Sequence, residues 1–164
     1  MDKDLRGCEM IEMGIQIEKN GRDFYTDLAS RSTYAKAKEL FEYLAGEEEK
    51  HISKFEKIRE DISSCDLEPA GAYTEEYFAY MNSLASGCVF TQADKGGEIA
   101  RNTKSDIEAI RLGIKFEKDS ILLYEGMKRV APADDIEILD RLIGEEKNHL
   151  SKLYWLQSEV SEEQ

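Results

Sequence analysis

The sequence predicts an all-α, antiparallel four-helix bundle, and three observations carry that reading. Four segments repeat their apolar residues at alternating spacings of four and three, which places them on one face of a helix. One helix-loop-helix unit occurs twice: Glu117 follows Glu18 by 99 residues, and Glu146 follows Glu48 by 98. The chain is 41% hydrophobic and 35% charged with only 2 prolines, so strong helix formers run on without an interruption. Its 164 residues are expected to form one domain, 1–164, large enough to bury a core without disulfide staples.

The first hairpin is expected over about 4–62. Its first helix, to about residue 31, carries the stripe Ile11, Ile15, Glu18, Arg22, Tyr25, Ala29. Gly14 and Gly21 lie beside the stripe. Each costs about 1 kcal/mol inside a helix relative to alanine, so close approach of a second helix is the reason to expect. Ser32 or Thr33 supplies an N-cap signal for the second helix. That helix, about 33–62, has the stripe Ala37, Phe41, Leu44, Glu48, His51, Phe55, Ile58, Ile62. Only Glu48 and His51 in it are polar, and they fall near the middle, where a core is driest.

A crossover is expected over about 63–104. Ser63-Ser64, Pro69-Ala70-Gly71 and Gly96-Gly97 are turn or loop signals. A structureless loop of this length is unusual in a compact domain, so the stretch Tyr73 to Ala85 is expected to form a short helix, with Thr74 as its cap. Tyr73, Tyr77, Phe78 and Tyr80 are expected to pack against the bundle.

The second hairpin is expected over about 105–160. Ser105-x-x-Glu108 is a capping box that opens the third bundle helix. Its stripe is Ile107, Ile110, Ile114, Glu117, Ile121, Tyr124, and Pro132 is expected to end it. Asp134 or Asp135 can cap the fourth, whose stripe is Leu139, Leu142, Glu146, His149, Leu153, Leu156, Val160. Trp155 beside this stripe is expected to be core.

The four stripes bring six polar groups inside: Glu18, Glu48, His51, Glu117, Glu146 and His149. The two histidines are the only ones in the chain, and each follows a stripe glutamate by three residues. Residues equidistant from a hairpin turn return to the same height at about 1.5 Å of rise per residue, so all six are expected in one mid-bundle layer. An unpartnered buried ion costs several kcal/mol, and four carboxylates together repel. Two divalent cations resolve both, because four positive charges offset four carboxylates. Oxygen and imidazole donors suit iron or manganese, and zinc less specifically. Two carboxylates can bridge the ions while each histidine holds one of them. Tyr25 and Tyr124, each seven residues after a stripe glutamate, either hydrogen-bond the ligand carboxylates or are core tyrosines. Arg22 either pairs with a carboxylate or reaches out to solvent. Glu47 and Glu145 point off the stripes and are expected to be solvated.

The net charge of −13 argues against nucleic-acid binding, which draws its affinity from Lys and Arg on phosphates. No run of about twenty apolar residues occurs, and the first residues, Met-Asp-Lys-Asp-Leu-Arg, lack an apolar signal core, so no membrane segment is expected. Cys8, Cys65 and Cys88 form no C-x-x-C and are expected to be small apolar residues in a reducing, cytoplasmic compartment.

With these residues in view, the sequence resembles the rubrerythrin branch of the ferritin-like superfamily. The resemblance rests on Ile17-Glu18-Lys19, Glu48-x-x-His51, Ile114-Lys115-Phe116-Glu117-Lys118-Asp119-Ser120 and Glu146-x-x-His149, with both tyrosines. It implies a ferritin-like fold and a carboxylate-bridged di-iron centre that reduces hydrogen peroxide or dioxygen in oxidative-stress defence. Two departures stand out. The paired C-x-x-C motifs of a rubredoxin domain do not occur, so either the electron donor is a separate, rubredoxin-like protein or the site turns over without one. Ser120 stands where the family has a further glutamate, which leaves four Glu and two His and moves the set toward bacterioferritin-type oxidase centres. A ferroxidase feeding an iron store and a non-catalytic module held together by its metal are the competing functions. The long crossover makes hairpin exchange between subunits feasible, and a homodimer is expected.

Overall fold

The computed structural model describes residues 7–61, 75–129, 131 and 133–162. The described residues form six α-helices and no strand. α1 spans Gly7–Arg31, α2 Ala35–Asp61, α3 Glu75–Gly87, α4 Lys95–Asn102, α5 Asp106–Met127 and α6 Ala133–Glu162. A 3₁₀ turn, Val89–Thr91, lies between α3 and α4. The four long helices make the bundle. α1 packs along α2 and α5 along α6, while α1 also meets α5 and α2 meets α6.

The stripes read from the sequence are the buried faces. On α6, Leu139, Leu142, Glu146, His149, Leu153, Leu156 and Val160 are all buried, and on α2 so are Ala37 through Ile58 of the expected set. Ile62 lies outside the described residues. A fully buried Phe or Leu contributes about 1.5–3 kcal/mol. Phe41, Leu44, Phe55, Leu142, Leu153 and Leu156 therefore offset the cost of the polar layer they enclose. Gly14 admits the Phe55 ring and Gly21 the Glu48 side chain: a Cβ on Gly14 would stand 2.6 Å from the ring, and one on Gly21 3.3 Å from Glu48 Cδ.

The helix ends differ in detail from the sequence reading. Ser105 caps α5 as expected, its hydroxyl accepting from Glu108 N at 3.2 Å, and the Glu108 carboxylate reaches back to Lys104 N. α2 begins at Ala35, beyond Ser32 and Thr33, and the Ser32 hydroxyl donates to the Tyr34 carbonyl. The Tyr34 amide instead meets Asp106 at 3.1 Å, tying the start of α2 to the start of α5. α5 ends at Met127, five residues short of Pro132, which lies outside the described residues.

Between α2 and α5 there are two helices where the sequence reading has one. α3 falls close to the expected short helix. Tyr77 on it is buried and donates to the Gly126 carbonyl at 2.7 Å, Phe78 packs on the core, and Tyr80 faces solvent. Tyr73 and Thr74 lie outside the described residues. α4 occupies the Gly96-Gly97 stretch that reads as a loop. It lies along α1, tied at its far end by Arg31 to the Ala100 carbonyl and by Arg101 to Asp27, and at its start by the buried side chain of Asn20. Asn20 Nδ2 donates to the carbonyls of Phe90 at 2.7 Å and Gln92 at 2.6 Å, and its Oδ1 accepts the amides of Lys95 and Gly96, each at 2.9 Å. Those two amides are orphan donors of the first turn of α4, so α1 supplies the cap that the local sequence lacks. Gly96 is required here, since a Cβ would stand 1.9 Å from the Asn20 carbonyl oxygen.

Two further expectations are corrected. Trp155 is 54% exposed, because one residue along a helix turns it about 100° off the buried stripe, and Lys36 covers its ring at 5.6 Å. Cys8 is disulfide-bonded rather than a free apolar residue, whereas Cys88 is a free, buried thiol. Among the described residues no helix is long and apolar enough to cross a membrane.

Candidate metal centre

The bundle brings all six predicted polar residues together. Glu18 comes from α1, Glu48 and His51 from α2, Glu117 from α5, and Glu146 and His149 from α6, and all six are buried. They form two overlapping groups. Glu18, Glu48, His51 and Glu146 make one, and Glu48, Glu117, Glu146 and His149 the other. In each group, one ligand atom per residue lies within 4.8 Å of the others. Glu48 and Glu146 belong to both, so each glutamate that precedes a histidine by three is shared, while Glu18 and Glu117 serve one group each.

The orientation of His51 tests whether these residues fit a cation. Three carboxylate oxygens surround its Nδ1, from Glu146 at 3.0 Å, Glu18 at 3.3 Å and Glu48 at 3.4 Å. None of them lies at a hydrogen-bonding angle, and Nδ1 is the one buried side-chain polar atom left without a bond among the described residues. Donors that crowd one point without bonding each other are arranged as ligands around a positive centre. On the other side, His149 Nδ1 donates to Glu146 at 2.9 Å and stands 3.9 Å from both Glu48 and Glu117. The two imidazoles stack, with ring centres 5.4 Å apart and planes within 18°.

Electrostatics describe the strain that a cation would relieve. Burial, then repulsion from Glu146, pushes Glu48 and Glu117 well above the usual carboxylate range. Burial and the charge of Glu18 push Glu146 up as well. Burial opposes the Glu18 charge too, but the adjacent His51 and hydrogen bonds, Tyr124 among them, bring Glu18 below its ordinary value. Burial likewise opposes a charge on His51, yet its carboxylate neighbours raise it far above an ordinary histidine. His149 is lowered, chiefly by burial.

Two tyrosines complete the layer. The Tyr25 hydroxyl on α1 donates to Glu117 at 2.6 Å, and the Tyr124 hydroxyl on α5 donates to Glu18 at 2.5 Å. Of the two sequence readings for them, the hydrogen-bonded one holds. Burial, then the neighbouring carboxylates, keeps both hydroxyls neutral donors well above the phenol range. Phe41 stacks on Tyr25 and Phe55 packs edge-on to Tyr124, one seven residues before Glu48 and the other seven after it. Arg22 turns outward, to Asp23 and to Glu49 at 2.9 Å. Ser120 is buried one turn beyond Glu117 and brings no carboxylate.

Glu145 is the residue that the sequence reading missed. It is half-buried, accepts His51 Nε2 at 2.9 Å, and is itself held by Lys54. Glu47, its equivalent in the repeat, is also partly buried rather than solvated, but its carboxylate pairs with Lys50 and makes no hydrogen bond to His149. Spacing could not separate the two, because both stand one residue ahead of a stripe glutamate.

The family model described as Rubrerythrin matches residues 9–157 of the chain. No curated protein sequence matches it. A crystal structure from Thermotoga maritima, provisionally assigned as a ferritin-like diiron-carboxylate protein, superposes with a TM-score of 0.73 at 24% identity, over 98% of this chain and 99% of that one. That likeness speaks for the fold.

Proposed function

The chain belongs to the rubrerythrin family, and from that premise we propose that its buried layer holds two iron ions and works as a di-iron oxidoreductase acting on hydrogen peroxide or dioxygen. The observation that carries the reading is the convergence of three carboxylates on the unbonded Nδ1 of His51, within two four-residue groups that share Glu48 and Glu146. Bound iron supplies the electrons: two, with two protons, reduce one peroxide to two waters.

The chain's own residues set the conditions for that chemistry. Glu18 and Glu117 would each serve one ion, Glu48 and Glu146 would be shared between the two, and His51 and His149 would each provide one nitrogen. Tyr25 and Tyr124 fix the carboxylates that bind a single ion and remain neutral, so the layer gains no further negative charge. Phe41, Phe55, Leu142 and Leu153 exclude bulk water around it. Manganese or zinc would fit the same donors.

The electron donor in this reading is a separate rubredoxin-like protein, the working form a homodimer, the location the cytoplasm and the role oxidative-stress defence. The test is anaerobic loading with Fe(II), followed by stoichiometric peroxide in one vessel and dioxygen in another, read by optical and Mössbauer spectroscopy. Rapid oxidation of two irons per chain supports the reading, and the faster oxidant names the substrate. Slow or one-electron oxidation with both oxidants would sink it. Continued uptake of many irons per chain into a large shell would identify an iron store instead.

A further inference from the structure

The sequence repeat suggests two equivalent halves, but the surroundings of the two histidines differ. On the His51 side, Nε2 donates to Glu145, and Lys54 holds the same carboxylate oxygen. At the 98-residue offset of the repeat, the equivalents of Glu145 and Lys54 are Glu47 and Lys152. Neither reaches His149 in the same way. Glu47 pairs with Lys50, three residues on along its own helix. Lys152 stands 5.4 Å over the Tyr43 ring, and that ring meets His149 edge-on at 6.2 Å.

One sequence difference accounts for the divergence. Lys50 is followed through the repeat to Asn148. A lysine three residues after Glu47 captures that carboxylate along the helix surface. An asparagine three residues after Glu145 has no charge with which to do so, and Glu145 remains available to His51 and Lys54.

We propose that the two cation positions are therefore unequal, that the His51 position fills first and holds its ion, and that Glu145 is the positioning residue that makes it so. The inference rests on the two-cation reading above. A carboxylate on the outer nitrogen fixes the rotation and tautomer of the ring and makes its inner nitrogen a better donor, an effect worth about 10–100-fold in metal affinity. The inner geometry agrees. Three carboxylates lie within 3.4 Å of His51 Nδ1, whereas two of the three around His149 stand at 3.9 Å. The His149 position is the weaker and exchangeable one.

Manganese(II) binding to chelator-stripped protein tests this without any turnover. Calorimetry should resolve two steps, and at one equivalent the electron paramagnetic resonance spectrum should show isolated ions, with spin-coupled pairs arising only as the second equivalent enters. Glu145→Ala should weaken the first step about 10–100-fold and leave the second within about threefold. Glu145→Gln, which keeps an acceptor, should recover part of the loss, and Glu47→Ala should change neither step. Lys54→Met loosens the same brace from its outer end, away from the cluster, and should weaken the first step alone. Circular dichroism on each variant reports that the bundle is intact. Equal affinities in the wild type, coupled pairs from the first addition, or equal losses from Glu47→Ala and Glu145→Ala would each overturn the inequality while leaving a two-ion site. Absence of any manganese binding would overturn the site itself, and the inference with it.

Discussion

Tyr124 on α5 donates its hydroxyl to Glu18 on α1, and the bond is returned across the bundle by Tyr25, which donates to Glu117. Each hairpin thus holds a carboxylate of the other. The first prediction follows from this exchange. Tyr124→Phe keeps the ring on Phe55 but leaves a buried carboxylate short of a donor, and should cost the metal-free protein about 1–3 kcal/mol. Tyr25→Phe should cost a similar amount. The double variant should lose less than the sum, because both bonds act on one coupled cluster. Urea denaturation of the four proteins measures this; strictly additive losses would mean that the two bonds do not report on one cluster.

The second prediction concerns Asn20, which lies outside the metal layer. Its side chain satisfies two amides and two carbonyls of the segment between α3 and α5. Asn20→Ala strands them, at about 1–3 kcal/mol for each buried group that water cannot reach. We expect a loss of about 3 kcal/mol or more, with hydrogen exchange rising first in α4. If exchange in α4 is unchanged, Asn20 is not what holds that helix to α1.

Glycines give the third prediction. Gly96→Ala drives a Cβ into the Asn20 backbone and should destabilise by about 3 kcal/mol, at the upper end for overpacking, since the clashing atom is main chain. Gly46 and Gly144 belong to the repeated Gly-Glu-Glu segments, yet nothing approaches within 4 Å of a Cβ at either. Alanine there should raise stability by about 0.5–1 kcal/mol through helix propensity. Thermal melts of the three variants decide the matter. A loss at Gly46 or Gly144 would reveal a packing role that the monomeric bundle does not show.

Periodicity made the bundle and its polar layer legible, because a 3.6-residue period converts spacing directly into facing. Glu18, Glu48, Glu117 and Glu146 interrupt otherwise apolar stripes, and no local preference puts a charge there. Periodicity fails for contacts between residues that lie off a stripe. Glu145 and Glu47 occupy the same place in their repeats, and what separates them is the partner each carboxylate finds, Lys50 for Glu47 and His51 with Lys54 for Glu145. It failed again at Gly96-Gly97. The sequence there carries loop residues, and the helix exists because Asn20, more than seventy residues earlier, supplies its cap. Trp155 was misread for a simpler reason: adjacency in sequence to a stripe residue is a rotation of about 100° away from it.

The last prediction sets metal-free and loaded protein against each other in pH. Without a cation, Glu48, Glu117 and Glu146 have values raised above the ordinary 4.5. The unfolded chain releases these protons above that pH while the fold retains them, so stability falls as pH rises. His51, raised above 6.5, contributes stability that is full below 6.5 and is lost at higher pH. His149, lowered from 6.5, works in the opposite direction, whereas Glu18, lowered from 4.5, is ionised in both states above about pH 5 and adds no slope there. Four groups against one give a net decline between about pH 5 and 8, of about 1.4 kcal/mol per pH unit for each proton that only the fold retains. Metal binding reverses the sign. Ligand carboxylates and imidazoles must shed their protons to bind, so acid weakens the complex and higher pH strengthens it. Melting temperatures measured from pH 5 to 8 should therefore fall for stripped protein and rise with manganese(II) in excess. Parallel curves would show that the cation does not replace these protons, and the cluster would then be a structural charge network rather than a metal centre.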